Sequence, residues 1–338
     1  VSFDSLRPLS QRPNRVLGLV ESPAQLLNAI EWAYASGAGS AAKLVVAGPT
    51  DLTTRLQLHR LAELARADEF SVGWSEVRGN PLQRARALSS LAGLVRSAET
   101  VVLGDPYSGI AHLLLNATVG RTPRIVVVDD GTATLHYEKQ WVSGVPLQRW
   151  HLTGRSLAGR VVGGRAGELL SRGSEAVSLF TAMPVQTRIP TVRNEYAWTR
   201  ARFGPPELLD GIDLLGSSLA ETGTITESAY LAGVQRLVAE HGLRRYLPHR
   251  REAAAKLAAI AALGVELIRP DLPMEVYARR GPTAGELWSF PSTVLHTLPL
   301  VLAYTGVRVR PLAVDADWFS AEADQVSRDF IDGIGSAP

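Results

Sequence analysis

Cysteine is absent from the 338 residues. That excludes a disulfide framework, a cysteine nucleophile and thiolate-ligated zinc, and it fits a reducing, cytoplasmic compartment. No run of about 18 or more apolar residues occurs, so no membrane-spanning helix is expected. No basic segment followed by an apolar core opens the sequence, so no signal peptide is expected either. Charge is nearly balanced at +2, too little to argue for a nucleic-acid partner. No GxGxxG follows the first expected strand and no P-loop pattern occurs, so dinucleotide and P-loop readings lack support. None of the seven histidines falls at an HExxH or other zinc spacing, and there is no GxSxG elbow.

What remains is ample for two domains, and a hydrophobic content of 46% can fill two cores. Strands are expected over 15–20, 43–47, 70–77, 100–104 and 124–128, with helices over 24–35, 51–67, 81–97 and 109–117 between them. Such alternation predicts an α/β chain with a doubly wound parallel sheet. From Lys139 to Arg172 the pattern degrades into a Gly-rich stretch with six basic residues (Lys139, Arg149, Arg155, Arg160, Arg165, Arg172) against Glu168. A surface of this kind suits peripheral contact with anionic lipid or an anionic glycan, although a solvated face is the preferred reading. A strand over 177–182 precedes the proline-rich stretch 184–206, read as the interdomain linker. A second series follows, with strands over 210–216, 244–247, 265–268, 286–290 and 307–309, and helices over 227–241, 253–263, 272–279 and 294–303. The expected organisation is a first domain over 1–190, a second over 205–320, and a terminal helix and tail over 321–338. Two Rossmann-like domains facing across a cleft describe the GT-B architecture, and other two-domain α/β enzymes fit the pattern equally well.

Four junctions carry candidate chemistry. The apolar run Ile125–Val128 stops at Asp129-Asp130-Gly131. Ligands of open α/β sheets bind outside the carboxyl ends of the strands, where Asp130 could serve as general base. A turn with a helix cap explains the same residues equally well. His249, just past a strand and ahead of a helix with Arg250 and Arg251 beside it, suits a phosphate cradle. Ser217-Ser218 and Ser292-Thr293 place hydroxyls after strands in the same half; each alone is an ordinary cap, and three such junctions together suggest a nucleotide site. Asp315-Ala316-Asp317 has the form of a metal-binding DxD. It lies near the C-terminus and is read as a loop or helix cap, and no metal is expected.

Taken in order, several segments resemble the bacterial sialyltransferase superfamily, particularly its lipooligosaccharide sialyltransferase and polysialyltransferase branches. Val20-Glu21-Ser22-Pro23-Ala24-Gln25-Leu26-Leu27 is similar to the family's first strand and helix, and Asp129-Asp130-Gly131 to its acidic-acidic-Gly motif. Tyr246-Leu247-Pro248-His249 is similar to the segment around its His-Pro motif, and Ser292-Thr293 to its later Ser-Ser/Ser-Thr motif. The resemblance implies inverting, metal-independent transfer of a nonulosonic acid from a cytidine monophosphate (CMP) donor to a glycan hydroxyl, with no cofactor beyond that co-substrate. It implies Asp130 as base, with Asp129 raising its pKa, and His249, Ser292 and Thr293 on the donor phosphate, joined by Ser217 and Ser218. Arg250 stands where the family has proline, and is assigned to the donor carboxylate. Some members take their base from the second half, which makes Glu221 the reserve. The acceptor is expected on the first half, near Ser22, Gln25, Asp105 and Tyr107. A CMP-Kdo or nucleotide-diphosphate-sugar transferase, or a non-catalytic glycan- or nucleotide-binding relative, are the alternatives.

Overall fold

A computed structural model of the protein describes residues 15–118, 120–144, 147, 165–171 and 174–323, with single positions 325, 328, 331 and 333. The chain divides into two compact units, Val1–Trp198 and Thr199–Pro338.

In the first unit, β1 (Val16–Val20), β2 (Ala42–Ala47), β3 (Ser71–Ser75), β4 (Thr100–Leu103), β5 (Arg124–Val128), β6 (Val177–Thr181) and β7 (Thr191–Arg193) form one sheet. All pairings are parallel, in the order β3-β2-β1-β4-β5-β6-β7. Every residue of β1 and β4 is buried, as strands covered on both faces must be. The intervening helices are α1 (Pro23–Ala35), α2 (Leu52–Ala67), α3 (Pro81–Ser97), α4 (Gly109–Asn116), α5 (Thr132–Ser143) and α6 (Arg165–Leu170). Side chains of Ser22, Asp51, Asn80 and Ser108 accept the backbone N–H three residues on and start α1 to α4. One face of the sheet is sealed by a core including Leu103, Ile125, Val127, Leu114 and Tyr137.

In the second unit, β8 (Leu208–Leu215), β9 (Leu243–Leu247), β10 (Glu266–Leu267), β11 (Thr283–Ser289) and β12 (Arg308–Pro311) make a second all-parallel sheet, ordered β10-β9-β8-β11-β12. Its helices are α8 (Glu227–His241), α9 (Ala254–Ala261), α10 (Met274–Arg280) and α11 (Val294–Val301). One core gathers Leu214, Tyr230, Val234, Tyr246, Ile260 and Phe290, and a smaller one Leu215, Leu247, Leu287 and Leu298. Both units are therefore α/β and Rossmann-like, each with its strand order reversing once. The reversal lies between β1 and β4 in the first sheet and between β8 and β11 in the second.

One expectation needs correction. The stretch 184–206 is not a bare linker: β7 joins the open edge of β6 within it, and α7 (Ala197–Arg202) follows. The division after Trp198 lies within the interval left between the two expected domains, and Trp198 itself is anchored into the first unit. Its backbone N–H donates to Glu31 (2.8 Å) and its indole N–H to Asp68 (2.8 Å). Ser217-Ser218 and His249 lie in the loops after β8 and β9. Turns follow both, and the helices start only at Glu227 and Ala254.

Within the basic segment, Lys139 lies on α5 and Arg165 begins α6, where it pairs with Glu168 (3.3 Å). Arg149, Arg155, Arg160 and Arg172 lie outside the described residues, as does most of the expected terminal helix. Asp315 precedes a short 3₁₀ turn (Ala316–Trp318) and accepts the Trp318 N–H through its carbonyl (3.0 Å), a loop role. No helix among the described residues is long and apolar enough to cross a membrane.

Candidate functional site

In the first unit the candidate residues gather at the carboxyl ends of β1, β4 and β5, on either side of the order reversal. Ser22 caps α1 by accepting the Gln25 N–H (3.3 Å), and its hydroxyl reaches Asp130 Oδ1 at 3.5 Å. Gln25 is buried; its Oε1 accepts the Glu21 N–H (2.7 Å) and its Nε2 donates to Asp130 Oδ2 (2.9 Å). The Asp130 backbone N–H donates to Thr134 Oγ1 (3.0 Å), so this partly exposed residue is held at both its backbone and its carboxylate. Gly131, at φ +62°, takes a conformation that side chains rarely adopt and turns the chain into α5. Gly104, just after β4, is required for a different reason. A Cβ there would lie 2.6 Å from Gln25 Cβ, so only glycine admits the Gln25 side chain.

Asp129 behaves differently. It is only 2% exposed and turned to β6, where the Thr181 hydroxyl and the Ala182 N–H (2.7 Å) donate to its carboxylate. Its carbonyl accepts from Asn28 Nδ2 (3.0 Å), and Asn28 Oδ1 in turn accepts from Asn194 (2.9 Å). Successive residues leaving a strand point to opposite sides, and the two adjacent aspartates are separated in this way. Asp129 is a buried tie between strand ends, whereas Asp130 is the carboxylate that partly meets solvent.

Behind these lies a second layer. The Glu21 carboxylate accepts from the Ser108 hydroxyl and from Arg78, whose Nη1 also donates to the carbonyls of Ala47 (3.1 Å) and Gly48 (3.0 Å). Arg78 thereby ties the loops after β1 and β2. Asp105 accepts the Tyr107 N–H (2.7 Å), and the Tyr107 hydroxyl donates to Gln140 Oε1 (3.1 Å). Gln140 Nε2 lies 3.0 Å from His136 Nε2. Burial raises the Tyr107 pKa, with the Asp105 charge adding to it, so the phenol stays a donor.

In the second unit the carboxyl ends of β8, β9 and β11 bring the other candidates to one edge of the sheet, again flanking the reversal. Ser217 donates its N–H to the Tyr230 hydroxyl (2.9 Å) and accepts the Leu219 N–H (3.2 Å); Ser218 is partly exposed beside it. His249 is an exposed residue whose N–H donates to Glu252 Oε1 (2.5 Å). Its Nδ1 accepts the Arg251 N–H (3.3 Å), which leaves the ring proton on Nε2. Desolvation, then the charges of Arg250 and Arg251, lower the His249 pKa, so near neutrality the ring is an uncharged donor. Ser292 shares a hydrogen bond with Ser289 Oγ (3.2 Å), and Thr293 opens α11 without capping it through its side chain. Arg250 is exposed.

Glu221 caps α9 by accepting the Ala253 N–H (2.9 Å) and pairs with Lys256 Nζ (3.0 Å). Burial works against its ionisation, but the Ala253 N–H and Lys256 outweigh it and hold the carboxyl below its ordinary range. That makes Glu221 a weak base in a structural position.

Sequence reasoning missed the group beneath these loops: Lys256, Glu252, Tyr230 and Tyr246. Tyr246 donates to Glu252 Oε2 (2.6 Å) and lies 2.5 Å from the Tyr230 hydroxyl. Lys256 is 0% exposed. Its Nζ donates to Ser217 O (3.0 Å), pairs with Glu252 (3.2 Å) and sits 3.8 Å over the Tyr230 ring. Burial raises the pKa of Glu252 against the opposing pull of Tyr246 and Lys256. Glu252 and Lys256 stand four residues apart, a helical pairing distance, which is the one sequence signal that could have found them. Among the described residues no group of three or more His, Asp or Glu side chains is gathered as a metal site.

Neither protein-family models nor curated protein sequences match the chain. Solved structures do. A UDP-N-acetylglucosamine 2-epimerase from Rickettsia bellii aligns at a TM-score of 0.50 and 12% identity, over 94% of this chain and 87% of that one. UGT2 of Phytolacca americana aligns at 0.46 and 13%, over 96% and 92%. The E. coli heptosyltransferase WaaC aligns at 0.38 and 14%, over 87% of each. At 12% identity the likeness to the epimerase is one of fold alone, and it agrees with the two Rossmann-like units that the strand orders define.

Proposed function

We propose that the protein is a GT-B-type glycosyltransferase moving a sugar from a nucleotide-activated donor to a glycan hydroxyl, with a CMP-linked sialic or related nonulosonic acid as donor. One observation carries this reading. In both units, residues able to do the chemistry lie at carboxyl strand ends flanking the reversal of strand order, the position where such sheets bind ligands.

The second unit holds the donor. His249 Nε2, the hydroxyls of Ser218, Ser292 and Thr293, and the amides opening α11 meet the charge that grows on the phosphate as its bond to the anomeric carbon breaks. Arg250 is assigned to the donor carboxylate. The first unit supplies the base. Asp130 takes the proton of the acceptor hydroxyl as that oxygen bonds to the anomeric carbon from the face opposite the phosphate, and CMP leaves with the bonding pair. Inversion follows from the single displacement. Ser22 and Gln25 orient the Asp130 carboxylate, and Asp105 and Tyr107 offer polar contacts to the acceptor. Glu221 is less suited to the role, because its helix-capping and ion-pairing contacts lower its basicity.

The test is release of CMP from CMP-sialic acid, run beside a thermal-shift panel of CMP, UDP and GDP. Asp130→Ala should abolish turnover and leave CMP binding intact, whereas His249→Ala should weaken CMP binding. Preferential stabilisation by UDP or GDP would replace the CMP assignment. Full activity in Asp130→Ala would remove the base assignment. Nucleotide binding with no turnover on any donor would point to a non-catalytic binding protein.

A further inference from the structure

Two loops of the second unit, 216–221 after β8 and 248–253 after β9, carry Ser217, Ser218 and His249. Their mutual position is not left to the backbone. Lys256 has three protons and three oxygen acceptors around it: Ser217 O and Glu221 Oε2 on the first loop, and Glu252 Oε2 on the second. Glu221 Oε1 returns the tie by accepting the Ala253 N–H, and the Gly216 N–H donates to Leu247 O (2.9 Å). A directed chain of donors runs parallel to this. The Ser217 N–H donates to Tyr230, the Tyr230 hydroxyl to Tyr246, and the Tyr246 hydroxyl to Glu252, which also takes the His249 N–H. Each hydroxyl is donor on one side and acceptor on the other, so the backbone of Ser217 and that of His249 are linked through four side-chain contacts without a break. Gly216 is pressed onto the group, since a Cβ there would lie 2.5 Å from the Tyr246 hydroxyl.

The energetics explain why such a group needs a purpose. A buried ammonium with carboxylates costs several kcal/mol of desolvation per ion and gains little stability over apolar packing. What it supplies is geometry, since the loops can take one arrangement that satisfies every charge. All three Lys256 protons are already engaged, so its charge is not offered to a ligand as a direct contact.

We infer that Lys256, Glu252, Tyr230 and Tyr246 are positioning residues for the donor site, holding the loop of Ser217-Ser218 and the loop of His249 in the spacing that an anionic phosphate requires. The inference rests on the donor reading of this unit. It predicts that loosening the group weakens donor binding while the catalytic step, whose base lies elsewhere, is little changed.

Tyr246→Phe is the variant of choice, because it removes one hydroxyl and keeps the ring that fills the core. Lys256→Met would leave two carboxylates uncompensated and could fail to fold. Three readouts are needed on the full chain: hydrogen exchange of segments 216–221 and 248–253 without ligand, CMP affinity by calorimetry, and the donor KM and kcat. Loss of one hydrogen bond in a coupled set corresponds to up to about tenfold in an equilibrium constant. Tyr246→Phe should therefore speed exchange in both segments, weaken CMP and raise the donor KM by about that factor, with kcat within about twofold. Tyr230→Phe should do the same. Wild-type binding of CMP with unchanged affinity in Tyr246→Phe overturns the inference alone, whatever the exchange shows. A kcat loss with unchanged KM overturns it as well. Wild-type protein that binds none of CMP, UDP or GDP overturns the donor reading and the inference together.

Discussion

Replacing Asp129 or Asp130 tests whether adjacent, chemically identical residues carry the two different roles proposed for them. Asp129→Ala removes the acceptor of the Thr181 hydroxyl and the Ala182 N–H, both in a region closed to water. Each buried donor left without a partner costs about 1–3 kcal/mol, so the pair is worth about 2–6 kcal/mol, toward the lower end once partial relaxation is allowed. For a unit of this size, about 3 kcal/mol corresponds to a drop of roughly 6–12 °C in its melting temperature. Asp130→Ala removes contacts to Gln25 and Ser22 at a partly exposed position, where water replaces the lost acceptor. Its stability should fall by no more than about 1 kcal/mol while turnover disappears. The assay is thermal melting of both variants followed by CMP release at a temperature where both are folded. Asp129→Ala should melt low yet retain activity well below its transition. A melting temperature within about 2 °C of wild type for Asp129→Ala, or an equal drop for Asp130→Ala, would refute the division of roles.

Two further outcomes follow from the geometry. Gly104→Ala places a methyl against Gln25 and should displace it from Asp130, reducing turnover at a stability cost of about 1–3 kcal/mol; unchanged turnover with the variant folded would show that Gln25 does not orient the base. Burial raises the pKa of Glu275, whose Oε1 accepts from Thr297 (2.8 Å), so its stabilising contribution is present below the unfolded value of 4.5 and is lost as pH rises through the folded one. Glu275→Gln cannot ionise, so relative to wild type it should gain stability as pH rises above 4.5, measured as a widening difference in melting temperature; a pH-independent difference would refute this.

Much of the fold was legible because its signals are local. The helices Pro81–Ser97 and Glu227–His241 fall where expected, each started by a side-chain cap, Asn80 and Thr226. The buried strands announce themselves as short aliphatic runs. What escaped depends on partners distant in sequence. The strand Thr191–Arg193 exists because β6 offers an open edge, which a proline-rich stretch does not advertise. Lys256 reads as a surface lysine until Glu221, 35 residues earlier, is folded against it. The two aspartates after β5 were visible as a pair, but their division of labour depends on Thr181 and Gln25, at separations of 52 and 105 residues.

The anchoring of Trp198 bears on how the protein can be cut. Its indole bridges to Asp68 and packs edge-on against Phe70 (6.2 Å between ring centres), and its amide occupies Glu31, so the indole side chain completes the interior of the N-terminal half. A truncation ending before Trp198 would remove a donor from the buried Glu31 carboxylate and open a hole beside the Phe70 ring. A version of that half ending just after Trp198 keeps the plug in place, and chimeras that exchange the C-terminal unit should be joined there.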